Sequence, residues 1–170
     1  MEKAIQNLRE INCSVLGDYE EAIASECEEP ISSDEILSYE DKYLSGEKSS
    51  GSKGMSSTKR KLPADISADV KAEIQRLAIK TFQSLNCNGV SRIDFMLDVD
   101  ENKVWVNEIN TIPGSLAFYL WEASGVKYKD LLDRLVKLAL KRERENKDIT
   151  YSFDTNILSG VKLGGMKGKL

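Results

Sequence analysis

Two apolar runs separated by a short polar turn constrain this chain more than any other feature: Val90–Leu97 (VSRIDFML) and Val104–Ile109 (VWVNEI), with Asp98-Val-Asp-Glu-Asn102 between them. Alternation of apolar and polar residues over this length predicts a β-hairpin. On the first strand, Ile93 and Phe95 should point one way and Arg92, Asp94 and Met96 the other. On the second, alternation puts Val104, Val106 and Glu108 on one face and Trp105, Asn107 and Ile109 on the other. Asn110 lies two residues beyond Glu108 and should share its face. The hairpin therefore brings Arg92, Asp94, Glu108 and Asn110 towards one another.

Asp94, Glu108 and Asn110 offer hard oxygen donors, the kind Mg²⁺ prefers, and protein-bound Mg²⁺ usually carries substrate phosphates. A solvated acidic sheet face is the plainer alternative. The flanking Ile93, Phe95, Trp105 and Ile109 predict largely buried strands, in which carboxylates must be paired or bind metal. Arg92, on the face of Asp94, would neutralise it or clamp an anionic reacting group. Pro113-Gly114 ends the run in a turn whose Gly114 allows close backbone approach and an N–H directed at an oxyanion.

What the chain lacks narrows the chemistry. Among 170 residues there is no histidine, which removes imidazole acid–base catalysis, Ser-His and Cys-His nucleophiles and His-ligated zinc. Cys13, Cys27 and Cys87 are too scattered for a metal-binding pair and read as small buried hydrophobes. A net charge of −4 argues against a nucleic-acid partner. No apolar run approaches the roughly 18 residues needed to cross a bilayer. The polar N-terminus does not resemble a secretion signal, so a cytoplasmic location is expected.

The rest of the chain supplies the frame. Arg9–Leu16 alternates as a strand, and Gly17-Asp18 should turn it into a second strand near Glu20–Glu28, with a short third strand at Ile36–Tyr39. The segment 45–61, rich in Gly, Ser and Lys, reads as a mobile surface loop, either a passive linker or a lid over a phosphate site. Ser67–Leu85 has helical periodicity, with Ser67 as cap and Gly89 as stop. Leu116–Ser124 suggests a short helix ended by Gly125. Tyr128 to about Glu145 suggests an amphipathic helix burying Leu131, Leu132, Leu135, Leu138 and Ala139. Residues 1–147 thus form one unit and 148–170 a weakly ordered tail. The order predicts an α+β fold with a mainly antiparallel sheet packed with helices.

SRIDFMLD, VNEINTIPGS and LWEASGV together resemble the C-terminal part of the D-alanine–D-alanine ligases of the ATP-grasp superfamily. Glu10 in REINCSVLG resembles the family's ribose-binding Glu, and Lys42-Tyr43 its Lys-Tyr beside the ATP phosphates. Glu2-Lys3 resembles the hinge that contacts adenine, so the resemblance runs from Glu2 to about Lys141. It implies an ATP-dependent ligase making a D-Ala-D-Ala type dipeptide for peptidoglycan through an acyl phosphate. Asp94, Glu108 and Asn110 would hold two Mg²⁺ ions, with Mn²⁺ as an alternative. Arg92 and the Gly114 N–H would stabilise the tetrahedral intermediate. Tyr119 stands where a Ser often reads the second substrate's carboxylate, which leaves the acceptor open between D-alanine and another amino acid or amine. The family's N-terminal and central domains are not in this sequence, so it reads as a C-terminal fragment, expected to be inactive alone and to need the rest of the ligase. Family members are often homodimers. Another ATP-grasp ligase and a non-enzymatic binding module remain the competing readings.

Overall fold

The computed structural model describes residues 4–31 and 60–148. Five strands form one sheet in the order β3-β2-β1-β4-β5, every neighbouring pair antiparallel. They are β1 (Leu8–Gly17), β2 (Ala22–Pro30), β3 (Arg60–Lys61), β4 (Gly89–Asp98) and β5 (Lys103–Asn110). The helices are α1 (Ala68–Ser84), α2 (Phe118–Ala123) and α3 (Tyr128–Asp148), with a 3₁₀ segment, Gly114–Ala117, leading into α2. The antiparallel α+β reading of the sequence is the fold observed. Ile36–Tyr39 and residues 45–59 of the Gly/Ser/Lys segment lie outside the described residues, as does the tail beyond Asp148. Arg60 and Lys61, the last two residues of that segment, pair with Pro30 and Glu29 as an edge strand.

Alternation along β1 and β4 splits the core in two. Odd-numbered residues of the central strands (Ile11, Cys13, Val15, Ile93, Phe95, Leu97) face α1, whose Val70, Ile74, Ala78 and Phe82 complete the larger core. On the opposite face, Leu16 and Val90 pack with Trp121 of α2 and Leu131 of α3 in a second cluster. Because α2 and α3 cover only that end, the rest of the face is left for polar residues. Of the apolar stripe expected on α3, Leu131 is buried and Leu135 and Leu138 are half-buried, whereas Leu132 and Ala139 are exposed.

Local chemistry sets the boundaries. The Ser67 hydroxyl accepts from the Val70 N–H at 3.3 Å and caps α1. The expected stop at Gly89 is corrected: Asn86 takes the left-handed conformation (φ 51). Cys87 N–H then bonds Phe82 O and Asn86 N–H bonds Gln83 O, the paired closure of a Schellman motif. Gly89 instead opens β4. At the β1–β2 turn, Asp18 Oδ1 accepts from the Glu20 and Glu21 N–H groups, both at 2.9 Å. The cysteines are free, Cys13 and Cys27 buried opposite each other and Cys87 half-buried.

Candidate active site

The polar half of the second face is organised in rows. Glu28, Asn12, Asp94 and Glu108 are successive register partners across β2, β1, β4 and β5. One row towards α2 lie Ser14, Arg92 and Asn110; one row away lie Glu10, Met96 and Trp105. Neighbouring rows are about 7 Å apart along the strands.

A β-bulge corrects the alternation read for β5. Asp94 pairs with Glu108 but Phe95 pairs with Val106, so Asn107 is left over between them. Val104 and Ile109 pack towards the α1 core, while Glu108 and Asn110 stand opposite Asp94 and Arg92. The expected burial of β5 is also corrected. It is an edge strand with Glu108 exposed and Trp105 44% exposed, because no strand among the described residues flanks it.

Arg92 and Asp94 clasp each other. Arg92 Nε donates to Asp94 Oδ1 at 2.8 Å and Nη2 to Oδ2 at 2.9 Å, a fork-on-fork geometry. Burial works against the guanidinium's charge, but the Asp94 hydrogen bonds and charge outweigh it and raise the Arg92 pKa. Asn110 Oδ1 accepts from the Ile112 N–H at 3.0 Å, tying the end of β5 into the turn that reaches Gly114. Beyond it, Ser115, Leu116 and Ala117 take φ values of 50, 58 and 49°. Three successive left-handed non-glycine residues are costly, and strain of this kind concentrates at functional sites.

Three residues that the sequence reading missed complete the row. Glu28 is only 4% exposed. Its Oε1 accepts from Tyr119 Oη at 2.6 Å and from Asn12 Nδ2 at 3.1 Å. Arg60 Nη1 lies 3.5 Å from Glu28 Oε2, and Arg60 Cζ lies 4.2 Å from the centre of the Tyr119 ring. Burial, then the hydrogen bond to Glu28, raises the Tyr119 pKa, so its phenol stays protonated. The sequence signal for Glu28 was its place in β2, two residues before Pro30 and beside the buried Cys27. Asn12 and Arg60 carried none.

The structure thus brings Glu10, Arg92, Asp94, Glu108, Asn110 and Tyr119 to one face, with Gly114 in the turn after Asn110. Glu2, Lys3, Lys42 and Tyr43 lie outside the described residues. No group of three or more acidic or cysteine side chains forms a metal cage among the described residues. Asp94 and Glu108 do face each other beside the Asn110 amide. Two carboxylates and an amide oxygen fit Mg²⁺, which keeps waters and takes further oxygens from substrate phosphates.

An antiparallel sheet backed by one helix, its other face bearing this row, is the C-terminal subdomain of an ATP-grasp fold. The chain belongs to the family described as D-ala D-ala ligase C-terminus, which matches residues 1–137. It is 38% identical over 149 residues to a D-alanine–D-alanine ligase of Thermosipho africanus, covering 88% of this chain and 38% of the relative. Its structure is similar to the D-alanine–D-alanine ligase of Coxiella burnetii (TM-score 0.64, 34% identity), covering 86% of this chain and 35% of that one. It is also similar to the VanG D-Ala:D-Ser ligase of Enterococcus faecalis (TM-score 0.60, 28% identity), covering 81% and 37%. The chain therefore spans about two-fifths of the length of the proteins it matches. No described helix is long and apolar enough to cross a membrane.

Proposed function

We propose that this chain supplies the C-terminal half of the catalytic centre of an ATP-dependent ligase that joins the carboxylate of one D-amino acid to the amine of a second, for peptidoglycan synthesis. The observation that carries this reading is the row Glu28–Asn12–Asp94–Glu108, with Arg92 clasped to Asp94. Asp94, Glu108 and Asn110 would hold the magnesium ions, two in number and replaceable by Mn²⁺, whose charge would offset that of the ATP phosphates. Glu10, one row out on the same face, lies where a ribose hydroxyl can be bound. Nucleotide-binding roles for Glu2, Lys3, Lys42 and Tyr43, which lie outside the described residues, rest on the family resemblance alone.

The first substrate's carboxylate takes the γ-phosphoryl group and ADP departs. The second substrate's amine, having lost a proton, attacks the acyl carbon and phosphate departs. Arg92 and the Gly114 N–H stabilise the negative oxygen of the tetrahedral species, a contribution that depends on fixed positioning. None of these roles needs imidazole or a covalent nucleophile, which suits a chain without histidine. The proposed location is the cytoplasm, where ATP is supplied.

The test is phosphate release by the ligase containing this chain, with ATP, Mg²⁺ and D-alanine, and with D-serine or D-lactate as second substrate. Release that depends on a D-amino acid, and is abolished by Glu108→Gln, is expected. Release with other carboxylates and amines but none with D-amino acids would assign a different ligase.

A further inference from the structure

Glu28 is buried, although it is not among the residues proposed to hold metal. A buried carboxylate stabilises a fold no better than a well-packed apolar residue of its size, so its presence points to a role beyond packing. Its Oε1 accepts from Tyr119 Oη at 2.6 Å and from Asn12 Nδ2 at 3.1 Å, and Arg60 Nη1 lies 3.5 Å from Oε2. Tyr119 belongs to α2, which follows directly on the turn bearing Gly114. The stretch from Asn110 to Tyr119 is a strap tied at both ends. At one end Asn110 Oδ1 accepts from the Ile112 N–H at 3.0 Å. At the other, Tyr119 reaches Glu28. Between them the Leu116 N–H bonds Pro113 O at 3.0 Å across Gly114, and Ser115, Leu116 and Ala117 run left-handed. Non-glycine residues do not favour that conformation, so the run depends on what fixes its ends.

We infer that Glu28 is a positioning residue for the ligase reaction: through Tyr119 it fixes the strap that carries Gly114, and so the placement of the Gly114 N–H beside Arg92. This rests on the ligase reading above. α2 is tied to β2 near both of its ends. Beyond its last turn the Ser124 hydroxyl accepts from the Glu26 N–H at 2.7 Å, and Leu120 and Trp121 bury its middle. Those contacts hold the helix, whereas Tyr119 links its strap end to the polar row. Arg92 is the register partner of Asn110, where the strap begins, and both Glu28 and Tyr119 act on it electrostatically. The two groups assigned to the oxyanion, the Arg92 guanidinium and the Gly114 N–H, therefore share one support. Asn12 completes that support from β1. It is the register partner of both Glu28 and Asp94, and its amide sets the direction of the Glu28 carboxylate. Donors fixed in place for a developing charge raise the rate of the chemical step more than they tighten substrate binding. A weakened support should therefore be felt in kcat.

The test compares the ligase containing this chain with its Tyr119→Phe, Glu28→Gln and Ser124→Ala variants, reading phosphate release with D-alanine and melting temperature. Tyr119→Phe keeps the ring and removes the tie to Glu28. It should lower kcat by about 10- to 100-fold, the usual weight of a hydrogen bond to a charged group, with the KM values for ATP and D-alanine unchanged. Glu28→Gln leaves an acceptor for the phenol but no charge, and should lower kcat less. Combining the two should add little to the loss from Tyr119→Phe, because both act through one bond. Ser124→Ala cuts the other tie between α2 and β2. It should lower the melting temperature and leave kcat unchanged. If Ser124→Ala lowers kcat as much as Tyr119→Phe does, the effect is a general loosening of α2 and the inference is overturned. A wild-type kcat for Tyr119→Phe, or losses that multiply in the double variant, also overturns it. So does a raised D-alanine KM with kcat intact, which would make Tyr119 a substrate-binding group. Should Glu28→Gln fail to fold, Tyr119→Phe against Ser124→Ala decides alone. If the wild-type ligase shows no turnover of D-amino acids, the ligase reading itself has failed.

Discussion

Asp94 and Glu108 stand directly opposite each other across β4 and β5, and the ladder slips one residue beyond them, where Phe95 pairs with Val106. The slip separates neighbours that alternation alone would treat alike. Asn107, left out of the pairing and exposed, should tolerate Asn107→Ala within about 0.5 kcal/mol. Ile109→Asn removes apolar surface from the α1 core and should cost about 1–3 kcal/mol. Glu108→Gln should leave stability nearly intact while abolishing D-amino-acid-dependent phosphate release. Urea unfolding of the three variants, with that assay, checks the pattern. Equal stability losses at Asn107 and Ile109 would be incompatible with the bulge.

Arg92 has two tasks that different substitutions separate. Arg92→Met leaves the Asp94 carboxylate without its clasp and should cost about 1–3 kcal/mol. It should also lower kcat of the ligase by about 100- to 1000-fold, the weight of a lost oxyanion donor. Arg92→Lys keeps the charge but not the fork. It should recover most of the stability and little of the rate. Full recovery of kcat by lysine would mean that charge alone, without bidentate geometry, is what the reaction needs.

The strands carrying this site were legible because their periodicity of two is local, and so was the helix from Ser67, whose cap and apolar repeat are both written within a few residues. The slip at Asn107 was not. It depends on Glu108 and Ile109 each reaching their proper faces, a condition set by β4 and α1 rather than by β5. Glu28 was missed for a related reason. Its partners Asn12, Arg60 and Tyr119 are 16, 32 and 91 residues away, and only the sheet order makes them neighbours. The burial expected of β5 failed because an apolar strand sequence does not say whether another strand flanks it.

The left-handed run after Gly114 should be a reservoir of strain. Ser115 is exposed with φ 50°, and a β-carbon in that region costs about 1–2 kcal/mol. Ser115→Gly relieves it at the expense of a more flexible unfolded chain, for a net gain of about 0.5–1 kcal/mol. The same variant should lower kcat of the ligase, because it loosens the turn that aims the Gly114 N–H. Denaturant midpoints and steady-state rates measured together test this. A variant both less stable and fully active would show that the turn is neither strained nor used.

Gly17 meets a steric limit of a different kind. A β-carbon there would lie 2.1 Å from Glu21 O and 2.6 Å from Ala22 Cα, at φ +152°. Gly17→Ala should therefore destabilise by about 3 kcal/mol or more, opening the β1–β2 turn that Asp18 closes. Hydrogen exchange at Asp18 and Glu21 should rise most. A melting temperature within a degree of wild type would contradict the close approach.

The Arg9–Glu29 clasp predicts how stability responds to acid. The Arg9 hydrogen bonds hold the Glu29 carboxyl below the usual carboxylate range, despite burial that acts the other way. A depressed folded-state pKa means that the unfolded chain binds this proton more readily. The clasp's contribution is therefore complete above the ordinary glutamate range and is lost as pH falls through the lowered folded-state value. Both groups are largely shielded from solvent, and the bidentate bond should be worth about 1–3 kcal/mol at neutral pH. Glu29→Gln should accordingly lower the melting temperature at pH 7, and the gap to wild type should close as pH is taken from 5 towards 3. A gap that stays constant over that interval would mean that Glu29 acts through packing and not through its charge. A gap that widens would reverse the sign of the linkage and place the shift in the unfolded state.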